Sequence, residues 1–358
     1  MSNGFKQKSR IVAKEVTLHK IDLSAPAGSH LLSSLIDSFQ EKDYTKRIDH
    51  DFIPVESFEE RKVDMKMDVS QPGILAAPSI LGRSLTFRII PDTNLRAALQ
   101  RLGKGFDLSW GVVGLGEPLV RALGREVAGL RAFPGLAGPG CTVPSTQQAL
   151  WFFLRGDDRG LLFDYTEQLR SFLNEAFVLD DAMDTFLYSG GKDLTGYEDG
   201  TENPREDKAI DAAIIPAGKN IKGSSFVAVQ RWVHDLNRFR SLPSKKRDAV
   251  MGRRLDTNEE IADAPESAHV KRSAQESYDP PAFMVRRSMP WATGNQQGLE
   301  FISYVESLDR YERVLRRMAG LEDGIVDALF TFSRPLTGGY YWCPPIIGNE
   351  LNLSSLRL

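Results

Sequence analysis

Cysteine is nearly missing from this chain: only Cys141 and Cys343 occur in 358 residues. Two thiols cannot build a disulfide framework, and they are too few for a structural zinc site or an iron–sulfur cluster. That usage points to a reducing, cytoplasmic compartment. An excess of one charge is missing too: 45 basic residues face 48 acidic ones, a net charge of −3. No broad positive field is therefore present to hold nucleic acid or an anionic membrane, and a small, weakly charged substrate suits the chain better. No apolar run approaches the ~18 residues that read as a membrane span. The basic N-terminus lacks the apolar stretch of a secretory signal. Histidine is scarce: His19, His30 and His50 fall before residue 69, which leaves His234 and His269 for the rest of the chain. A zinc site needs three or four converging ligands, so it is disfavoured by that number.

What is there is a globular chain whose 41% hydrophobic content can fill one large core or two ordinary ones. Residues 1–68 are polar and carry one short apolar cluster, Leu31, Leu32, Leu35, Ile36 and Phe39, at helical spacing. A helix this short is marginal without a surface to pack on, so the segment reads as a loosely ordered extension or as a docking helix. From Gln71 the pattern becomes regular. Residues 84–90 alternate as a strand, Pro91-Asp92-Thr93 supplies a cap, and Leu95, Ala98, Leu99 and Leu102 share one helical face. Strands at 108–115, 149–154 and 177–188 and a helix at 158–174 follow, and with the extra helix at 117–130 set aside they complete a strand-helix-strand-strand-helix-strand order. The second half repeats it, with strands at 225–232, 283–289, 298–305 and 338–342 and helical stretches at 236–252 and 308–318. Two copies of one split βαβ unit predict an α+β fold with antiparallel sheets and helices on one face of each. The boundaries expected are an extension 1–68, a first half 69–190, a second half 191–345 and a tail 346–358.

Chemistry concentrates in three places. The stretch Gly-Tyr-Glu-Asp-Gly-Thr-Glu-Asn-Pro at 196–204 is punctuated by Gly196, Gly200 and Pro204, which makes a tight loop able to hold Asp199 and Asn203 in fixed places. An Asp-Gly turn joining the two halves is the plainer account, and the spacing is unlike an EF-hand. His234 closes an apolar strand, where a structural hydrogen bond to backbone is the ordinary expectation. His269 lies in Ser-Ala-His-Val, before the strand that carries Arg286; its position alone leaves both a structural and a ligating role open.

The loop at 196–204 resembles the distal loop of the dye-decolourising peroxidases, with their Gly-x-x-Asp-Gly pattern. Further motifs recur in the same order: Gln71-Pro-Gly-Ile-Leu75, Phe133-Pro-Gly135, the strand ending Trp-x-His at 232–234, Met251-Gly-Arg253, Asn258-Glu-Glu-Ile261, Ser267-Ala-His269, Val285-Arg-Arg-Ser288 and the stretch Pro335 to Trp342. The resemblance covers about 70–345 and is greatest to the bacterial B-type branch. It implies tandem ferredoxin-like units with haem b (iron protoporphyrin IX) in the C-terminal half. It also implies an enzyme that reduces hydrogen peroxide through a ferryl intermediate while oxidising phenolic, dye-like or other one-electron donors. Carried over, it makes His269 the iron ligand and Asp327 the carboxylate behind its ring, although a helix-surface acid is the plainer account of Asp327. Asp199 and Arg286 take the catalytic roles on the peroxide side, where the guanidinium is expected to lower the Asp199 pKa toward the ionised state. Arg253 becomes the propionate partner. Ser288, two residues past Arg286, is expected to face the same pocket, and Gly200, Thr201 and Asn203 join the haem-binding surface.

The resemblance further implies a homo-oligomer, and the tail 351–358 is similar to short segments that dock such peroxidases inside protein shells. Departures are a shortened spacing between Arg253 and His269, an arginine at position 254, and the extension 1–68, which has no counterpart. Trp232, Tyr340, Tyr341 and Trp342 are either core residues or exits for electrons. A haem-handling protein that releases iron, with incidental peroxidase activity, needs the same pocket and is the alternative function.

Overall fold

The computed structural model describes residues 69–358; the apolar cluster at 31–39 and the first three histidines lie outside the described residues. Four strands of the first half, β1 (Leu81–Ile89), β2 (Gly111–Gly116), β3 (Leu150–Gly156) and β4 (Phe177–Phe186), pair antiparallel in the order β4-β1-β3-β2. The second half repeats that order. Its strands are β5 (Ser225–His234), a second position split into β6 (Val285–Arg286) and β7 (Met289–Thr293), then β8 (Gln296–Val305) and β9 (Gly339–Cys343). They run β9-β5-β8, with β6 and β7 both on β8, and β9 meets β2 through Tyr341↔Gly116 and Trp342↔Leu115. The duplicated split βαβ architecture expected from the element order is the observed one.

Strand alternation sorts the core. Val112, Trp151, Val227, Val229 and Tyr341 enter one apolar cluster, and their chain neighbours Val113, Phe152, Ala228 and Tyr340 enter another. The second cluster is completed by the helices α1 (Leu95–Gly105), α2 (Arg159–Leu173) and α5 (Leu308–Met318). Between β5 and α5 stand α3 (Ser244–Met251) and the four-residue α4 (His269–Arg272). On the opposite sheet face, Arg231 of β5 lies across from Glu300 of β8 and bonds it at 3.0 Å, while its other arm reaches Asp181 of β4 at 2.6 Å. An ion network with a buried Arg231–Glu300 pair and a part-exposed Asp181 thus joins the two halves.

Local chemistry changes several expected boundaries. Asn94, whose side chain accepts from Ala97 N–H, caps α1 in place of Asp92 or Thr93. The helix expected over 117–130 stops at Ala122, because Gly124 takes a left-handed φ of +65° and its amide turns back to Arg121 O. The stretch 236–252 is two helices, Leu236–Ser241 and α3, broken where Pro243 cannot continue the first.

The C-terminal segment is part of the body. Ile346–Ile347 and Glu350–Leu351 pair as a short hairpin, and Leu351, Leu353 and Leu356 are buried in the cluster that holds α1. Burial of a leucine is worth ~1.5–3 kcal/mol. Deletion of residues 353–358 is therefore expected to lower the thermal midpoint measured by circular dichroism; an unchanged midpoint would show that this packing contributes nothing.

Candidate active site

A cavity of about 380 Å³ opens between the helix-facing side of β5 and β8 and the helix α5, and every residue lining it lies between 193 and 332, in the second half. Its floor follows from strand period: Gln230, Trp232 and His234 alternate along β5, and Leu299 and Phe301 along β8. Helix α5 contributes Tyr311, Val314, Leu315 and Met318 from one face.

One wall is the loop 192–204. Gly196 (φ +95°) and Gly200 (φ +77°) take the turns that side-chain-bearing residues avoid. The loop is clamped to β6 by Asn203, whose amide donates to Arg286 O at 2.9 Å and accepts from Arg286 N–H at 2.8 Å. Asp199, Gly200, Thr201 and Arg286 line the cavity; Asn203 does not, since this reciprocal pair turns its side chain to the strand. Ser288 is also outside the wall, with its hydroxyl accepting from Ile302 N–H at 3.3 Å. Its expected place follows from strand period, and the register on β8 is kept from Arg286↔Ser303 to Met289↔Glu300, but the Ser288 hydroxyl is engaged by the backbone of β8.

On another wall stands His269, the first residue of α4. Its Nδ1 donates to Asp327 Oδ2 at 2.8 Å, which leaves Nε2 as the ring nitrogen available to the cavity. Asp327 is buried rather than an exposed helix acid; its second oxygen caps the turn Ala328–Thr331 by accepting from Leu329 N–H at 2.8 Å. Burial disfavours a charged His269 ring, but the Asp327 carboxylate outweighs it and holds the imidazole above its ordinary value. Helix α3 reaches this wall by ending at Gly252, where a Cβ would lie 2.2 Å from Val270 Cγ1. The next residue, Arg253, lines the rim and bonds Asn258 O at 3.1 Å and the carboxylates of Glu202 at 2.7 Å and Glu260 at 3.4 Å. Asn258 in turn donates to Thr201 Oγ1.

The electrostatics correct one expectation. Burial is the largest influence on Asp199 and pushes its carboxyl above the usual range; the nearby Asp193 acts in the same sense, and Arg286 and the Gly200 amide pull it down without reversing the result. The guanidinium acts in the direction expected, but desolvation wins.

Sequence reasoning passed over Asp193, Thr195, Gln230 and Tyr311. A glutamine amid the apolar residues of β5 was the available signal, since buried polar side chains need partners. Gln230 Oε1 accepts from Tyr311 O–H, yet its Nε2, together with Thr195 Oγ1 and Arg286 Nε, is buried without a partner among the described residues. His234 pairs with side chains, Ser333 and Asp193, and not with backbone.

A duplicated α+β fold whose second half encloses a carboxylate, a guanidinium and a carboxylate-backed imidazole defines a class of cofactor pocket. Comparisons place the chain within that class. The family model for Dyp-type peroxidase, C-terminal, matches residues 191–348. The chain is 30% identical over 224 residues to a dye-decolorizing peroxidase of Brevibacterium linens, a match covering 61% of each chain. It is 30% identical over 280 residues to that of Rhodococcus erythropolis, covering 76% of this chain and 78% of the relative. A Rhodococcus jostii RHA1 DypB variant solved in complex with heme superposes with a TM-score of 0.70 at 28% identity, covering 75% of this chain and 94% of that one. The chain belongs to the dye-decolourising peroxidase family, and its likeness to DypB agrees with the B-type branch. It spans less than two thirds of the Brevibacterium linens relative.

Proposed function

We propose that this chain is a haem peroxidase that reduces hydrogen peroxide to water and draws electrons from small donors such as phenols and dyes. The observation that carries the reading is a single cavity lined by His269, backed by Asp327, and by Asp199 and Arg286. The wall suits a porphyrin: it is largely apolar, and the unpartnered Thr195, Gln230 and Arg286 atoms are donors or acceptors awaiting a ligand. Among the described residues no three His, Cys, Asp or Glu converge as a metal cage, which fits a metal held by one protein ligand and its own macrocycle.

Bound haem would supply the redox centre that takes oxidising equivalents from peroxide and passes them to donors one electron at a time. His269 Nε2 would hold the iron, and Asp327 fixes the tautomer and orientation of that ring and raises its basicity. Asp199 takes the proton from one peroxide oxygen and delivers it to the other. Arg286 steadies the negative charge that develops on the departing oxygen. Arg253, already bonded to Glu202 and Glu260, would hold a propionate; Gly200 and Thr201 shape the wall, and Asn203 and Ser288 support the strand and loop that carry the catalytic pair. A cytoplasmic setting is inferred from the two cysteines, both free and buried. Homo-oligomer formation is carried by the resemblance alone. Shell docking by the tail would require Leu353 and Leu356 to leave the core.

The test is spectroscopic. Haem-loaded protein is expected to show a Soret band that shifts on adding peroxide and returns with a phenolic donor; protein that refuses haemin would overturn the reading. Iron release without donor turnover would favour the haem-handling alternative. Asp199 also sets the pH dependence of the reaction. Only its ionised form accepts a proton, and burial raises its pKa, so the peroxide reaction should be lost as pH falls through a midpoint above the ordinary carboxylate range. Asp199→Asn should abolish that limb and lower the plateau by ~10²-fold; a limb that persists in this variant, followed by stopped flow, would reassign the base.

A further inference from the structure

Behind the distal loop lies a hydrogen-bonded chain that the proposed mechanism leaves unused. His234, the last residue of β5, is buried; its Nδ1 pairs with Ser333 Oγ at 2.7 Å and its Nε2 with Asp193 Oδ1 at 3.1 Å. Asp193 Oδ2 accepts from Thr195 N–H at 2.7 Å. The Asp193 backbone closes the same turn: its N–H donates to Tyr197 O and its carbonyl accepts from Gly196 N–H. These are the residue types of a serine-nucleophile triad. The hydroxyl is buried, however, and Ser333 is absent from the cavity wall that Asp193, His234 and Asp199 share, so no substrate carbonyl can reach it. What the chain can do is hold a charge in place.

We propose that Asp193, held by His234, which Ser333 in turn anchors, is a positioning residue for Asp199: it closes the turn that carries the distal carboxylate and keeps a negative charge beside it. The proposal rests on the peroxidase reading for the use to which Asp199 puts its proton. Groups acting on Asp199 come from three elements: Asp193 on its own loop, Arg286 on β6 and His269 on α4. Asp193 faces His234 on β5. Burial opposes its charge, but the His234 ring and the Thr195 amide hold its carboxyl below the usual range. Burial and Asp193 together push Asp199 the other way. Two carboxylates in one wall are thereby separated into one that stays charged and one left free to exchange a proton, the division of labour that paired catalytic carboxylates require.

The test uses haem-loaded, full-length protein. Infrared absorption of the protonated carboxyl, assigned by its loss in Asp199→Asn, is titrated in the wild type, in Asp193→Asn and in His234→Gln. Asparagine keeps the shape of Asp193 and an acceptor for the Thr195 amide, so the loop should stay closed. Glutamine keeps a donor to Asp193 but not the charge of the ring, so Asp193 keeps part of what holds it ionised. The expected result is a midpoint shifted to lower pH in Asp193→Asn and by a clearly smaller interval in His234→Gln, with the acid limb of the peroxide reaction moving by the same interval in each. A purely structural role would lower the rate at all pH values and leave the midpoint in place. An unchanged midpoint in Asp193→Asn, or equal shifts in both variants, overturns the proposal. A shifted midpoint in a protein that never reacts with peroxide leaves the coupling standing and overturns the peroxidase reading instead.

Discussion

Replacing Arg286 with leucine should slow the reaction with hydrogen peroxide by ~10²–10³-fold, the usual consequence of losing one preorganised donor to a developing oxyanion. The residue is placed for that work. Its backbone is fixed on both sides by Asn203, and its Nε is buried with no partner among the described residues, so its hydrogen-bonding capacity is held in reserve. Haem content should be unchanged, because the imidazole and its carboxylate come from other segments, α4 and the turn at 327. Leucine would also remove the positive charge that pulls Asp199 down, so the acid limb should move to higher pH. A bimolecular rate constant within twofold of wild type would show that charge stabilisation comes from elsewhere.

The second large effect concerns Asp327. Asp327→Ala should weaken haem retention by ~10–100-fold, the cost usually found when the partner of a metal-bound imidazole is removed. It strips the acceptor from His269 Nδ1 and from Leu329 N–H together. Each donor left unsatisfied in a buried setting costs about 1–3 kcal/mol, so the haem-free protein should also unfold at a lower temperature. Asp327→Asn keeps an acceptor and should recover much of the stability, but not the anionic push on the ring. Competition with a haem-scavenging protein measures the first effect and calorimetry the second. Equal haem loss from the alanine and asparagine variants would mean that the carboxylate's charge is irrelevant and its shape suffices.

The Asp199 turn and Asp327 show how differently parts of the site could be foreseen. The Asp-Gly turn at 199–200 is local: glycines at 196 and 200 dictate the chain path whatever surrounds it, and that path was legible. Asp327 is not local. The family resemblance pointed to it, but by residue pattern it is one acid among 48 acidic residues, and only the packing of α5 and the following turn brings it 2.8 Å from a ring 58 positions away. Strand period is a local rule and points Ser288 the same way as Arg286, but it cannot display that the Ser288 hydroxyl is engaged by Ile302 N–H on the neighbouring strand. Asp193, a charged residue in a polar loop, carried no signal until His234 stood beside it.

By itself the amino-acid sequence determined the alternation of the strands, the apolar faces of α1 and α5, the repeated order of elements and the turn that bears Asp199. Each depends on near neighbours and on the backbone freedom of particular residues. The tertiary structure decided which charges meet: the depth at which Asp199 is buried, the carboxylate behind His269, the clamp of Asn203 on Arg286 and the polar atoms left unpaired around the cavity. Desolvation and long-range pairing set those properties, and both are functions of what surrounds a group in space, which the order of residues along the chain does not display.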